Sequence, residues 1–227
     1  SVDGVQLLDA ALRSAGCRQP LGVLVEVGAA GGRAGTRTFE QASDVAHATR
    51  AAGSLDLVGV EGYEGAVSSR RSTAELAAVD AYLDELRATT VRLADEGCFD
   101  PGRPILVSAG GSKFFDRVIE LLGRNADFGG HETSLVLRSG CYLVHDHGVY
   151  AAETPLGASV PGAERLQAAV ELWAEVLSTP EPGLAIVGLG RRDASFDHGL
   201  PVLLGVVGRG ISQATERFAR ARDGRLV

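Results

Sequence analysis

Four short apolar runs, at residues 21–27, 55–60, 104–108 and 133–137, alternate with stretches whose apolar residues recur at helical spacing. This alternation restricts the fold more than any other feature. A run without a polar face has to be covered on both sides, which is the situation of a strand in a parallel sheet. The helical stretches supply the crossovers that parallel strands need. Helical periodicity spans 3–15, with Val5, Leu8, Ala11 and Leu12 on one face, and returns at 38–52. It returns again at roughly 72–97, with Leu76, Val79, Leu83, Leu86 and Leu93 inward, and from the Gly-Gly-Ser turn to about Arg124. The expected fold class is α/β, a partial (β/α)8 barrel. Four strand–helix units are visible, where a closed barrel has eight in about 250 residues.

The texture changes after Tyr150. Pro155, Pro161, Pro180 and Pro182 break the chain, and Val170–Leu177, Leu184–Leu189 and Leu200–Val207 read as strands. The first two are joined by a turn at Ser178–Gly183. The expectation is an antiparallel β module. A helix over 163–177 stays open, because Leu166, Val170, Trp173 and Leu177 keep helical spacing. Residues 213–222 read as a solvated helix or a frayed end. The expected division is 1–150, the barrel part, and 151–227, part of a β domain.

In a β/α barrel, function gathers at the C-terminal ends of the strands. The unusual residues sit there: Arg33, Tyr63, Gly110-Gly111-Ser112 and Gly140-Cys141-Tyr142. The run Ile105–Val107 passes through Gly110-Gly111-Ser112 straight into a helical pattern. Two glycines let an anion approach the backbone, and a serine at the helix N-cap adds a hydroxyl to the free N–H groups and the positive dipole end. The same turn also suits a plain strand-to-helix connection that needs glycine for its dihedrals.

Composition narrows the partners. With 227 residues, 45% of them hydrophobic and 22% charged, and a net charge of −7, the chain reads as a globular protein. That charge argues against nucleic acid or an anionic membrane as the main partner. No apolar run reaches membrane-span length and no signal peptide opens the sequence. Cys17, Cys98 and Cys141 fit neither a disulfide framework nor a zinc motif, so a reducing cytoplasm is expected. There is no methionine, and Lys113 is the one lysine against 21 arginines. The missing initiator points to a piece of a longer protein.

Five motifs, in order, resemble one family. Leu24-Val25-Glu26-Val27-Gly28 leading to Gly32-Arg33-Ala34-Gly35 resembles a barrel strand and loop of the D-threonine aldolase and D-serine dehydratase family. Gly62-Tyr63-Glu64-Gly65 and Ser108-Ala109-Gly110-Gly111-Ser112 are similar to its next two strand ends. Arg138-Ser139-Gly140-Cys141-Tyr142 resembles its last barrel strand, with Ser139 where proline is usual. Asp193 to Pro201 resembles an element of its C-terminal β domain. Proteins labelled amino acid deaminases are similar too.

The resemblance implies a pyridoxal phosphate enzyme with an alanine-racemase-type barrel, acting on a small D-3-hydroxy amino acid as a homodimer. It implies that Gly110, Gly111 and Ser112 hold the cofactor phosphate with Gly140 and Cys141, that Tyr142 adds its hydroxyl, and that Tyr63 and Arg33 lie near the ring. It also implies a Schiff-base lysine and a divalent metal motif on segments not found in this sequence. Lys113, in the first turn of the phosphate helix, is expected to point outward. No catalytic residue and no metal ligand is assigned.

His145-Asp146-His147, with His131 and His198 as remote candidates, is the nearest thing to a metal motif, but the strand exit is the plainer explanation. Asp193 and Asp197 fit an acid–base pair or, more simply, a turn. Glu26, inside an apolar strand, needs a cationic partner, and Arg33 or another barrel arginine is expected. His47 reads as a surface residue. Two other readings stay open: a truncated phosphate-binding chain without chemistry, and an unrelated phosphate-binding barrel enzyme.

Overall fold

The computed structural model describes residues 1–157, 161, 164–197, 199–201, 203–207 and 211–213. The chain forms two compact units, Ser1–Leu143 with Glu153–Pro155, and Val144–Ala152 with Leu156–Val227.

In the first unit, α1 (Val2–Ser14), β1 (Leu21–Val27), α2 (Phe39–Ala51), β2 (Leu55–Gly62), α3 (Thr73–Asp95), β3 (Ile105–Ala109), α4 (Phe115–Leu122) and β4 (Thr133–Leu137) follow in order. The four strands lie side by side as β1-β2-β3-β4, every neighbouring pair parallel. The apolar runs thus become the strands they were expected to be. The sheet is open, with β1 and β4 at its edges. Closure into a barrel is not part of the described structure.

One core joins sheet and helices. Val25, Val27, Leu57, Val60 and Val107 of the strands pack with Phe39, Ala42 and Ala46 of α2, with Val79, Leu83, Leu86 and Leu93 of α3, and with Val118 and Leu122 of α4. Each fully buried leucine contributes about 1.5–3 kcal/mol through loss of apolar surface. α3 starts where the sequence says it must. Ser72 and Glu75 form a reciprocal capping box, with Ser72 N–H donating to Glu75 at 3.2 Å and Glu75 N–H to Ser72 Oγ at 3.4 Å. α1 departs from its expected apolar face: Leu8 and Ala11 are exposed, Val5 and Leu12 only half-buried, and the buried residue is Asp9, whose carboxylate accepts from the N–H and hydroxyl of Ser54.

α4 is shorter and later than its pattern predicts. Phe114, not Ser112, is the N-cap, with no side-chain bond to the helix, and the last residue is Leu122. Phe114 is wholly buried. Drawing that ring into the core turns residues 112–114 before the helix can start, and the serine cap is lost to apolar burial.

In the second unit, β5 (Val176–Glu181) pairs antiparallel with β6 (Leu184–Val187), and β7 (Gly205–Val207) with β8 (Ile211–Gln213). The antiparallel expectation is met with shorter strands. Residues 166–175 take up neither helix nor strand, which corrects both readings of that stretch. The reversal sits at Pro182 and Gly183, since β5 runs on to Glu181. Pro180 lies within β5, where a two-stranded pair tolerates a residue without an N–H. A short α5 (Val149–Glu153), not anticipated, starts where Asp146 accepts from Gly148 N–H at 2.8 Å and Tyr150 N–H at 2.9 Å. Residues 214–227 lie outside the described residues. Among the described residues, no helix is long and apolar enough to cross a membrane.

Candidate functional site

Parallel strands put all their C-terminal ends on one edge of the sheet. There, the loop after β3 meets the segments after β2 and β4. Gly110 takes φ +100, which a side chain would strain. A Cβ on Gly111 would fall 2.9 Å from the Tyr63 ring and 3.1 Å from a Glu64 oxygen. Tyr63 and Glu64 therefore sit directly against the glycines.

Glu64 is fully buried and organises the loop. Its carboxylate accepts the N–H of Gly110 at 3.0 Å and the N–H of Gly111. Ser139, also buried, donates its hydroxyl to the Gly110 carbonyl and so ties the end of β4 to the same turn. Ser112 Oγ accepts the N–H of Tyr142 at 3.2 Å, which leaves the serine proton free to donate. The Tyr142 ring packs against Phe115 with centroids 6.0 Å apart. Gly140 N–H turns back to the Arg138 carbonyl at 3.0 Å.

Beneath these loops Tyr82 of α3 links two strand ends. Its hydroxyl donates to the Val27 carbonyl at 2.6 Å and accepts the Tyr63 N–H at 2.9 Å. Burial pushes this phenol up to about 12, and the backbone bond from Tyr63 acts in the opposite direction.

On the sheet face away from the helices, Glu26, Glu61 and Ser108 stand in register on β1, β2 and β3. Arg138 reaches across from the end of β4, pairing with Glu61 at 2.7 Å and donating to the Gly62 carbonyl at 2.7 Å. This corrects the expected partnership of Glu26. The arginine on this face serves Glu61, and Arg33 forms no ion pair among the described residues. The loop after β1 is held instead by Arg37, which the sequence did not single out. Its guanidinium donates to the carbonyls of Gly32, Ala34 and Gly35 at 2.6, 2.6 and 2.7 Å.

The structure thus brings Tyr63, Gly110, Gly111, Ser112, Gly140, Cys141 and Tyr142 to one edge, while Arg33 is exposed on the neighbouring loop. Lys113 donates its ammonium to the Ser69 carbonyl at 2.8 Å. His131 lies 3.0 Å from Asp95 and His198 lies outside the described residues. The donor atoms of His145, Asp146 and His147 do not converge on a metal position. Asp193 accepts from Gly190 N–H at 2.9 Å, and Asp197 pairs with Arg191 at 3.0 Å, so both serve turns.

The edge suits an anion by its donors. The N–H groups of Ser112, Lys113 and Cys141 have no acceptor among the described residues, and the first turn of α4 is uncapped. With the Ser112 hydroxyl, they are donors not taken up by the protein, the kind of group an anion can accept from. They differ from the expected set: Gly110 and Gly111 give their N–H groups to Glu64, Gly140 gives its own to the Arg138 carbonyl, and the Lys113 N–H joins. Glu64 stood inside the Tyr63–Gly65 motif, but nothing local in the sequence shows that it turns inward.

No family model matches the chain. It is 29% identical over 189 residues to 3-hydroxy-D-aspartate aldolase of Paracoccus denitrificans (strain Pd 1222), covering 82% of this chain and 44% of that protein. The crystal structure of D-threonine aldolase from Filomicrobium marinum superposes with a TM-score of 0.70 at 26% identity, covering 100% of this chain and 55% of that one. The chain is thus similar in sequence and in fold to two aldolases of D-amino acids. It spans about half the length of these two relatives.

Proposed function

We propose that this chain forms the cofactor-phosphate side of a pyridoxal phosphate-dependent lyase acting on D-3-hydroxy amino acids. The observation that carries the reading is the cluster of acceptorless N–H groups and the Ser112 hydroxyl at the C-terminal edge of the sheet. The names of the two relatives, both aldolases of D-amino acids, agree with it. Pyridoxal phosphate, when bound, draws electrons from the α-carbon of an amino acid. The residues of this chain bind and orient. Ser112 and the N–H groups of Ser112, Lys113 and Cys141 would hold the phosphate. Glu64 keeps the loop in shape by accepting from Gly110 and Gly111. Tyr63, 51% exposed and locked at its backbone by Tyr82, presents its ring beside the loop. Tyr142 walls the other side, and Arg33 on the neighbouring loop faces solvent.

A second reading rests on Lys113. The single lysine is bound to Ser69 O, which favours a chain that holds phosphate and performs no chemistry unaided.

Titration with pyridoxal phosphate and with inorganic phosphate, before and after borohydride, separates the two readings from failure. Saturable binding of both, weakened about tenfold in Ser112→Ala through loss of one hydrogen bond to a charged group, is the expected result. No borohydride-fixed label on Lys113 is expected. Binding unchanged in Ser112→Ala, or absent altogether, would remove the phosphate assignment.

A further inference from the structure

At the opposite end of the sheet, the close of α3 carries donors that the reading above does not use. α3 ends in a Schellman turn. Gly97 takes φ +68, its N–H reaches the Ala94 carbonyl at 2.8 Å, and Cys98 N–H reaches the Leu93 carbonyl at 2.9 Å. The turn brings Glu96 and Cys98 toward α2, where His47 meets them. His47 Nε2 is 3.7 Å from Glu96 Oε2, and one donor atom from each of His47, Glu96 and Cys98 lies within 4.8 Å of the others.

That His47–Glu96 separation is too long for a hydrogen bond. It is near the roughly 3.4 Å that two ligands adopt across a tetrahedral ion with bonds of about 2.0–2.1 Å. Ser43 donates to Glu96 Oε2 at 2.8 Å and so orients the carboxylate, as outer partners of metal ligands do. The sulfur is buried while His47 and Glu96 reach solvent, which gives an ion a path in.

We propose that His47, Glu96 and Cys98 form a zinc site that clasps α2 to the end of α3, with water as the fourth ligand. One imidazole, one carboxylate and one thiolate suit zinc, whereas magnesium and calcium prefer oxygen alone. Cys98 precedes β3, and the candidate phosphate loop follows it, so the two sites lie at opposite ends of that strand. Burial, then the Glu96 charge, pushes the Cys98 thiol up, and Arg50 beside the sulfur acts in the other direction. Zinc replaces the thiol proton, so binding strengthens as pH rises.

Cobalt(II) reports the site directly. It is titrated into the full 227-residue chain carrying Cys17→Ser and Cys141→Ser, which removes the other thiols. The expected result is one equivalent bound, with tetrahedral visible bands and a near-ultraviolet sulfur-to-cobalt band, both displaced by zinc. Cys98→Ser abolishes the sulfur band. His47→Ala and Glu96→Gln each weaken binding by about tenfold or more. Zinc raises Tm in the parent and not in His47→Ala. Should Cys98→Ser fail to fold, the two surface variants still decide. A folded chain without the sulfur band, or equal cobalt affinity in parent, His47→Ala and Glu96→Gln, overturns the proposal.

Discussion

The loops after β1 and β3 leave the same edge of the sheet, and both are rich in glycine, yet they are braced with opposite charge. The loop after β1 folds its carbonyls around the exposed guanidinium of Arg37. The loop after β3 folds two N–H groups onto the buried carboxylate of Glu64. A peptide unit has a donor and an acceptor end, and the charge of the brace decides which one is taken up. Glycine content says only that a loop is able to approach something closely. Here the brace after β3 also leaves the next N–H groups, at Ser112 and Lys113, without acceptors.

Three variants distinguish the buried brace from the exposed one. The largest effect is expected for Glu64→Ala. It strands two N–H groups in a buried place at about 1–3 kcal/mol each, read as a lower urea midpoint. Glu64→Gln should fall between, because its amide has one acceptor oxygen and would set its NH2 against the second donor. If Glu64→Ala unfolds at the parent midpoint, the buried brace is not what holds the loop.

Next comes Tyr82→Phe, which removes a bond to Val27 and one from Tyr63 and costs about 1–3 kcal/mol. It also tests the pH dependence. The phenol rises from 10.0 in the unfolded chain to about 12 in the folded one. A raised value means the folded state holds the proton more tightly, so stability from this group is present below pH 10.0 and is lost as pH climbs toward about 12. Urea midpoints of parent and Tyr82→Phe should converge over that window.

The smallest effect is expected for Arg37→Ala. The three carbonyls it releases are solvent-accessible and find water, so stability changes by about 1 kcal/mol or less. The signature is local: faster amide exchange at Gly28, whose N–H donates to Thr36, and at Thr36, whose N–H donates to Glu26. A loss as large as that of Glu64→Ala would erase the distinction between exposed and buried braces.

Much of the first unit was legible. The apolar runs at 21–27 and 133–137 are β1 and β4 to the residue, because short apolar runs alternating with helical periodicity fit the strands of a parallel sheet. The apolar spacing from Leu76 to Leu93 placed α3, and the structure starts it at the capping box of Ser72 and Glu75. The stretch 166–175 was misread both ways, since its helical and strand spacings coexist and no strand pairs with it there. Ser112 was placed one turn-segment too close to the helix because the burial of Phe114 outweighs a cap, and burial is not a local property.

Sequence alone determined the order of strands and helices, the parallel sheet, and the edge at which glycines and polar residues gather. Each of those follows from periodicity and from neighbours close along the chain. Tertiary structure decided which charges meet. Glu64 reaches Gly110 and Gly111, Arg138 takes Glu61 rather than Glu26, and His47 finds Glu96 and Cys98. These partners are far apart in sequence, and a side chain's charge carries no record of the strand register or helix packing that selects its counterpart.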